Sequence, residues 1–303
     1  MRFTAVLNRD GGTLRTIDVD AFARRMQATL EQQDHRLDVH IVDGRDIEAA
    51  LAKAAAGRAE IVIAGGGDGT VSAAAAALMH KKKALAVLPA GTMNLFARGL
   101  GIPMSLDAAV QAFAQGQVRA VDMGSANGRP FVHQFSIGMH ARMVALRDGM
   151  EFKSRLGKMR ASIRASAAAI LDPPTLRLSL AIGDAEMLTR ATAVSVTNNL
   201  FGEGHLPYAD HPDGGVLGIY VSVARERRHV LGMLWSLARG RLRDNPHVEV
   251  HESDGAILKL LSRKAARKCV IDGELLPATA ETVFKIHRKV LNVLVPADER
   301  AAK

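Results

Sequence analysis

Cysteine occurs only once in this chain of 303 residues, at position 269, so no intramolecular disulfide can form. Burial and hydrogen bonding must hold the fold, which suits a reducing compartment. Cys269 lies in the apolar run Cys269-Val270-Ile271 and reads as a small core residue rather than a nucleophile. Aromatic residues are also scarce, at 4% of the chain, with Trp235 the sole tryptophan and Tyr208 and Tyr220 the only tyrosines. Stacking platforms for bases are therefore few, which argues against a nucleic-acid partner. No uncharged apolar run is long enough to cross a bilayer, and the apolar part of Met1–Asn8 is too short for a secretion signal. A cytoplasmic protein is expected, with any membrane contact peripheral. Two nucleotide-binding signatures are also missing. Val71 follows Thr70 where a P-loop would place its Lys-Ser or Lys-Thr pair, and no Gly-x-Gly-x-x-Gly spacing follows a strand.

Against these absences stand a formal net charge of +9 and a 48% apolar share. The charge favours an anionic partner, such as a nucleotide or an anionic membrane surface. The length accommodates two domains with sizeable cores built from Ala, Val, Leu and Ile. Strand and helix signals alternate at first. Phe3 to Leu7 reads as a strand, Ala21 to Leu30 as a helix, Leu37 to Val42 as a strand, Ile47 to Ala56 as a helix, and Ile61 to Ala64 and Leu85 to Leu88 as strands. This alternation predicts a parallel α/β domain over residues 1–117. Ligands bind beyond the carboxyl ends of such strands, where three glycine-containing loops follow the first, third and fourth.

Of these loops, Gly65-Gly66-Gly67-Asp68-Gly69-Thr70 carries the most chemistry. It joins an apolar strand to the alanine-rich run from Ala73, a strong helix former. Glycines at a strand-to-helix turn expose N–H groups beside the positive end of a helix, which suits phosphate. Asp68 would repel a bare phosphate, so it is expected to orient a hydroxyl or to hold a metal that bridges to phosphate.

From about 118 to 294 the signals are mostly strands: Phe131 to Ile137, Thr175 to Ile182, Ala191 to Thr197, Val216 to Val223, Ala256 to Leu261, Cys269 to Ile271, Thr282 to Ile286 and Val290 to Val295. Helical signals interrupt at Lys153 to Leu171 and Glu226 to Arg239. A mostly antiparallel β domain is expected here, with residues 295–303 packing back on the first domain. Lys153, Arg155, Lys158, Arg160 and Arg164 alternate with Leu156, Met159, Ile163 and Ile170 at helical spacing. Most such basic amphipathic helices pack on their own domain, and the sharper reading is membrane-surface contact.

Taken in order, Gly66-Gly67-Asp68-Gly69-Thr70, Pro89-Ala90-Gly91-Thr92-Met93-Asn94, Asn198-Asn199, Gly202-Glu203-Gly204, Asp213-Gly214 and Asp272-Gly273-Glu274 resemble the diacylglycerol kinase catalytic superfamily over nearly the whole chain. The resemblance implies an α/β nucleotide-binding domain, a β-sandwich-like domain and an active site in the cleft between them. It implies ATP- and Mg²⁺-dependent phosphorylation of a lipid hydroxyl. Asn8 and Gly12 fall in one phosphate-side loop. Gly66, Gly67, Asp68, Gly69, Thr70, Val71 and Ser72 form the main nucleotide loop, and Thr92 adds a further contact. Glu274 matches the family's proton acceptor. Asp213, with Asp210 and Gly215 nearby, matches a structural Mg²⁺ site completed by carbonyls and waters. Several positions depart from the family pattern: Arg9 for a common proline, Val42-Asp43 for a threonine, Ser72 for asparagine, Leu95 for aspartate and Gly215 for an apolar residue.

The chemistry is consistent with these roles. Phosphoryl transfer needs positioning and charge neutralisation, and an alcohol needs a carboxylate to accept its proton. Asp68 and Glu274 are thus the catalytic candidates. An NAD kinase-like enzyme is the nearest rival, and a non-catalytic nucleotide- or membrane-binding protein comes next. The acceptor lipid stays open, as does a homodimer.

Overall fold

The computed structural model describes residues 1–148, 173–224, 226–261 and 267–297. They form two compact units, one of the described residues within 1–123 and 288–303 and the other of those within 124–287. The division falls inside two strands, β5 (Gln117–Ala126) and β16 (Glu281–Val295). The expected helix Lys153 to Leu171 lies outside the described residues.

In the first unit, β1 (Arg2–Asn8) lies between β2 (Arg36–Val42) and β3 (Ile61–Gly66), and β3 pairs with β4 (Ala84–Pro89). All of these pairings are parallel. Every residue of β3 and β4 is buried, as expected of strands covered on both faces. Helix α1 (Val19–Glu31) buries Val19, Phe22, Met26 and Leu30, a stripe at helical spacing, and the Asp18 carboxylate caps it by accepting the Ala21 N–H at 2.9 Å. Helix α2 (Ile47–Ala56) packs beside α3 (Asp68–Leu78), whose alanines permit close approach. The short α4 (Leu95–Gly99) and α5 (Leu106–Ala114) follow β4.

The second unit is antiparallel. One sheet runs β12 (Val248–Ser253), β11 (Leu217–Ser222), β10 (Ala193–Asn198), β7 (Gln134–Gly138), β14 (Lys268–Ile271), β15 (Glu274–Pro277). The other contains β9 (Ala185–Ala191), β8 (Leu176–Ile182), β13 (Gly255–Leu260) and the first half of β16. Alternate residues of both sheets meet in one core, with Val194, Val196, Leu217 and Ile219 from one, Leu178, Leu180 and Leu258 from the other. Phe135 meets Phe284 edge to face across it, ring centroids 4.9 Å apart. Helices α6 (Met139–Asp148) and α7 (Arg227–Ala238) cover the outer face of the first of these sheets through two apolar clusters, one shared by both helices and one of α6 alone.

Three expectations about local structure need correction. Gly65 and Gly66 belong to β3, and Asp68 opens α3, so the turn contracts to Gly67. The expected strand Phe131 to Ile137 is split between β6 (Arg129–Phe131) and β7. The separate strands Thr282 to Ile286 and Val290 to Val295 are one strand, β16. At the middle of β16, Lys289 turns left-handed (φ 54°) and donates its N–H to the buried Asp122 carboxylate at 2.8 Å. Before this kink β16 pairs antiparallel with β13, and after it β16 pairs parallel with β4.

Candidate active site

In the first unit, the loops after β1, β3 and β4 are packed backbone against backbone. Asn8 ends β1 and shapes the first loop. Its Oδ1 accepts the Asp10 N–H at 3.0 Å, and its carbonyl accepts the Gly11 N–H at 3.0 Å. Its Nδ2 reaches the Thr70 hydroxyl of the second loop at 3.4 Å. The Thr13 N–H donates to the Ala90 carbonyl of the third loop at 2.8 Å. Side chains are excluded where the loops touch. A Cβ on Gly12 (φ 23°) would overlap the Ala90 carbonyl oxygen, one on Gly11 would lie 3.2 Å from the Gly66 Cα, and one on Gly91 would lie 2.9 Å from the Gly67 Cα.

The third loop is fixed by a residue that sequence reasoning left out of the site, Asn94. It sits left-handed at the start of α4 (φ 50°). Its Oδ1 accepts the Gly91 N–H at 2.8 Å, and its Nδ2 donates to Gly91 O at 3.0 Å and Pro89 O at 3.2 Å. Asn tolerates this backbone conformation and carries both donor and acceptor, so its place after Gly91-Thr92-Met93 was the available signal.

The predicted nucleotide residues divide by exposure. Gly69 and Thr92 are exposed, and Gly67, Asp68 and Ser72 are half-buried. A Cβ on Gly69 would meet open space. Thr70 and Val71 are buried, and the Thr70 hydroxyl already receives Asn8. The first intrahelical amide bond of α3 runs from Val71 N–H to Gly67 O at 3.1 Å, so the N–H groups of Gly69 and Thr70 lie at the positive end of the helix. Asp68, as the first helical residue, is stabilised by that same end. The acid that looked out of place in a phosphate cradle thus has a structural reason to be there.

In the second unit, Asp272 and Gly273 both have positive φ (45° and 88°) and form the two-residue turn between β14 and β15. Asp272 is only 8% exposed, and its carboxylate accepts the N–H groups of Val132 and His133 at 2.9 Å and of Gln134 at 3.0 Å. This is where the expected strand Phe131 to Ile137 breaks: the carboxylate gathers amides that would otherwise continue a ladder. Glu274 follows at the start of β15, and its carboxylate accepts from the Arg129 guanidinium at 2.5 Å. Cys269, three residues before this turn on β14, is buried, and burial pushes its thiol pKa up.

The predicted metal residues lie in the loop before β11. The Asp210 carboxylate is bound to His205 Nε2 at 2.8 Å, and the His205 ring stacks on Tyr208 with centroids 3.9 Å apart. Asp213 is half-buried in a turn closed by the Gly214 N–H on His211 O, and Gly215 is left-handed (φ 76°). Among the described residues, no three His, Cys, Asp or Glu side chains gather as metal ligands. With Asp210 engaged by His205, the described loop does not provide a multi-carboxylate site.

Both units have counterparts among known proteins. The model of the diacylglycerol kinase catalytic domain matches residues 2–126, and that of the YegS C-terminal NAD kinase beta sandwich-like domain matches residues 134–295. An uncharacterized protein, sll0036, of Synechocystis sp. is 30% identical over 223 residues, covering 71% of this chain and 50% of that protein. A Yersinia pestis (strain Pestoides F) protein named "Probable lipid kinase YegS-like" is 31% identical over 77 residues, 25% of this chain and 26% of its own length. The chain thus spans half or less of these relatives. A solved structure of a diacylglycerol kinase from Bacillus anthracis str. Sterne superposes with a TM-score of 0.72 at 17% identity, covering 97% of this chain and 96% of that one, a likeness of fold.

Proposed function

Because the chain belongs to the diacylglycerol kinase catalytic family, we propose that it transfers the γ-phosphate of ATP to the hydroxyl of a lipid. The observation that carries this reading is the convergence of three glycine loops at the positive end of α3, within the part matched by the catalytic-domain model. Contacts that leave no room for a Cβ keep the backbone bare, and bare amides at a helix N-terminus suit polyphosphate. In this reading Asn8, Gly12, Gly66, Gly67, Gly69 and Thr92 shape or line the nucleotide site. Thr70 and Val71 act from beneath, by holding the loop. Asp68 and Ser72 face the nucleotide and its ion.

Glu274 accepts the proton of the lipid hydroxyl as the new phosphorus–oxygen bond forms and the bond to the ADP oxygen breaks. Its exposed carboxylate is oriented by Arg129 and by the turn that Asp272 anchors. Mg²⁺ would supply charge neutralisation on the nucleotide, and Asp213 with nearby carbonyls would hold a structural ion. No described helix is long and apolar enough to cross a membrane. In this reading the lipid is met at a membrane surface.

The test is to incubate the protein with labelled ATP, Mg²⁺ and separate acceptors: diacylglycerol, phosphatidylglycerol, a sphingoid base and NAD. Label is expected in a lipid. Label in NAD alone, or in none of the four, contradicts the reading.

A further inference from the structure

Helix α7 buries Val230 and Met233 against the sheet, yet presents Leu231 and Trp235 to solvent at 54% and 65% exposure. Leu231 and Trp235 are four residues apart and share one face of the helix. Continuing that row by four residues in either direction reaches Arg227 and Arg239, both exposed. The guanidinium of Arg239 lies 5.7 Å from the centroid of the Trp235 ring. The outer row therefore reads cation, leucine, tryptophan, cation. Arg228, Arg241 and Arg243 add charge at the two ends, Arg243 while paired with Glu252 of β12 at 3.5 Å. From Glu226 to Asp244 there are five arginines and two acids, a net of +3. Both acids already pair with arginines of the segment, Glu226 with Arg228 and Asp244 with Arg241, each at 2.7 Å.

A helix that hides one apolar stripe in its own domain does not need a second one facing water. An apolar centre between cationic ends fits a particular environment, the interface of an anionic bilayer. There leucine and tryptophan enter the headgroup region, and arginines extend sideways to phosphates. A protein partner of matching shape would need its own acidic rim, whereas an anionic lipid surface supplies one everywhere.

We propose that the outer face of α7, with Leu231 and Trp235 as insertion points and Arg227, Arg228, Arg239, Arg241 and Arg243 as a cationic rim, docks this protein on anionic phospholipid surfaces. The site serves the lipid-kinase reading by bringing the protein to its substrate, but docking itself uses neither ATP nor transfer.

Trp235 is the sole tryptophan, so its fluorescence reports this face alone. The protein is titrated, without ATP, with phosphatidylcholine vesicles that contain or lack phosphatidylglycerol, and sedimentation is measured in parallel. With the anionic vesicles, Trp235 emission shifts to shorter wavelength and is quenched by brominated acyl chains. Added salt weakens binding, and neutral vesicles bind far less. Leu231 is more than half exposed and belongs to none of the buried apolar clusters described above, and Leu231→Asp lowers vesicle affinity at least about tenfold. Vesicle binding without a change in Trp235 emission would place the contact elsewhere and overturn the proposal. So would Leu231→Asp at wild-type affinity, equal binding to neutral vesicles, or a blue shift that follows protein concentration without vesicles and so marks a second copy of the chain. Docking without phosphate transfer would leave this inference standing and remove the kinase reading.

Discussion

The glycine loops of the first unit and the Asp272–Glu274 turn of the second fix a backbone by opposite means. In the loops, the positions of Gly11, Gly12, Gly66 and Gly91 are set by the absence of side chains, because a Cβ at any of them would press on a neighbouring loop or on Thr70 or Asn94. In the turn, a buried carboxylate holds three amides. The first arrangement fails by collision and the second by loss of an acceptor. A surface built from bare backbone can present amides to a polyphosphate. A turn locked by one side chain can hold the next side chain, Glu274, in place for proton transfer.

The contrast is broken most severely at Asp272. Asp272→Ala leaves the amides of Val132, His133 and Gln134 without their acceptor, and the second unit should lose about 3–5 kcal/mol. A denaturant midpoint unchanged from wild type would show that the turn does not depend on the carboxylate.

Gly12→Ala and Gly69→Ala sharpen the comparison within the first unit. Gly12→Ala forces a Cβ against the Ala90 carbonyl at a left-handed position and should destabilise by about 1–3 kcal/mol, with ATP affinity falling at the same time. Gly69→Ala has open space in the first turn of α3, so stability should hold or rise by up to about 1 kcal/mol. Thermal melts with ATP titration distinguish them, and equal melting shifts would argue against the collision account.

Arg129→Ala removes an exposed partner of Glu274. Stability should change by less than about 1 kcal/mol, while phosphate transfer falls, chiefly in kcat. An unchanged kcat would show that Arg129 does not orient the base. The smallest effect concerns Cys269. Its burial and raised thiol pKa predict slow alkylation of the folded protein near neutral pH, with reactivity increasing as pH rises and on unfolding. Immediate labelling at neutral pH would place the thiol at the surface.

The parallel half of the fold was legible because its signals are local: Phe22, Met26 and Leu30 mark a helix face, and the apolar runs ending in glycine mark buried strands. The parts that escaped depend on partners distant in sequence. Nothing near Phe131 signals that Asp272 will split a strand there, and nothing near Lys289 signals that Asp122 will bend β16 without ending it. The helices Leu106–Ala114 and Met139–Asp148 and the strand Ala185–Ala191 also went unread. The last of these is mostly exposed, with only Ala191 fully buried, and its apolar and polar residues do not alternate regularly enough to reveal it. In the site, the glycines and the Asp-Gly-Glu triplet were visible as motifs. The work of Asn94 and Arg129 was not, since each acts through contacts that only the folded chain brings together.

The division of labour between the two arrangements is tested most directly by Glu274→Gln, with ATP binding and phosphate transfer measured on the same preparation. The substitution keeps the shape of the side chain and removes its basicity. ATP affinity should stay at the wild-type level while transfer to the lipid hydroxyl falls by about 10²–10⁴-fold. Transfer at the wild-type rate would contradict the account, because the proton of the hydroxyl would then be taken by another group.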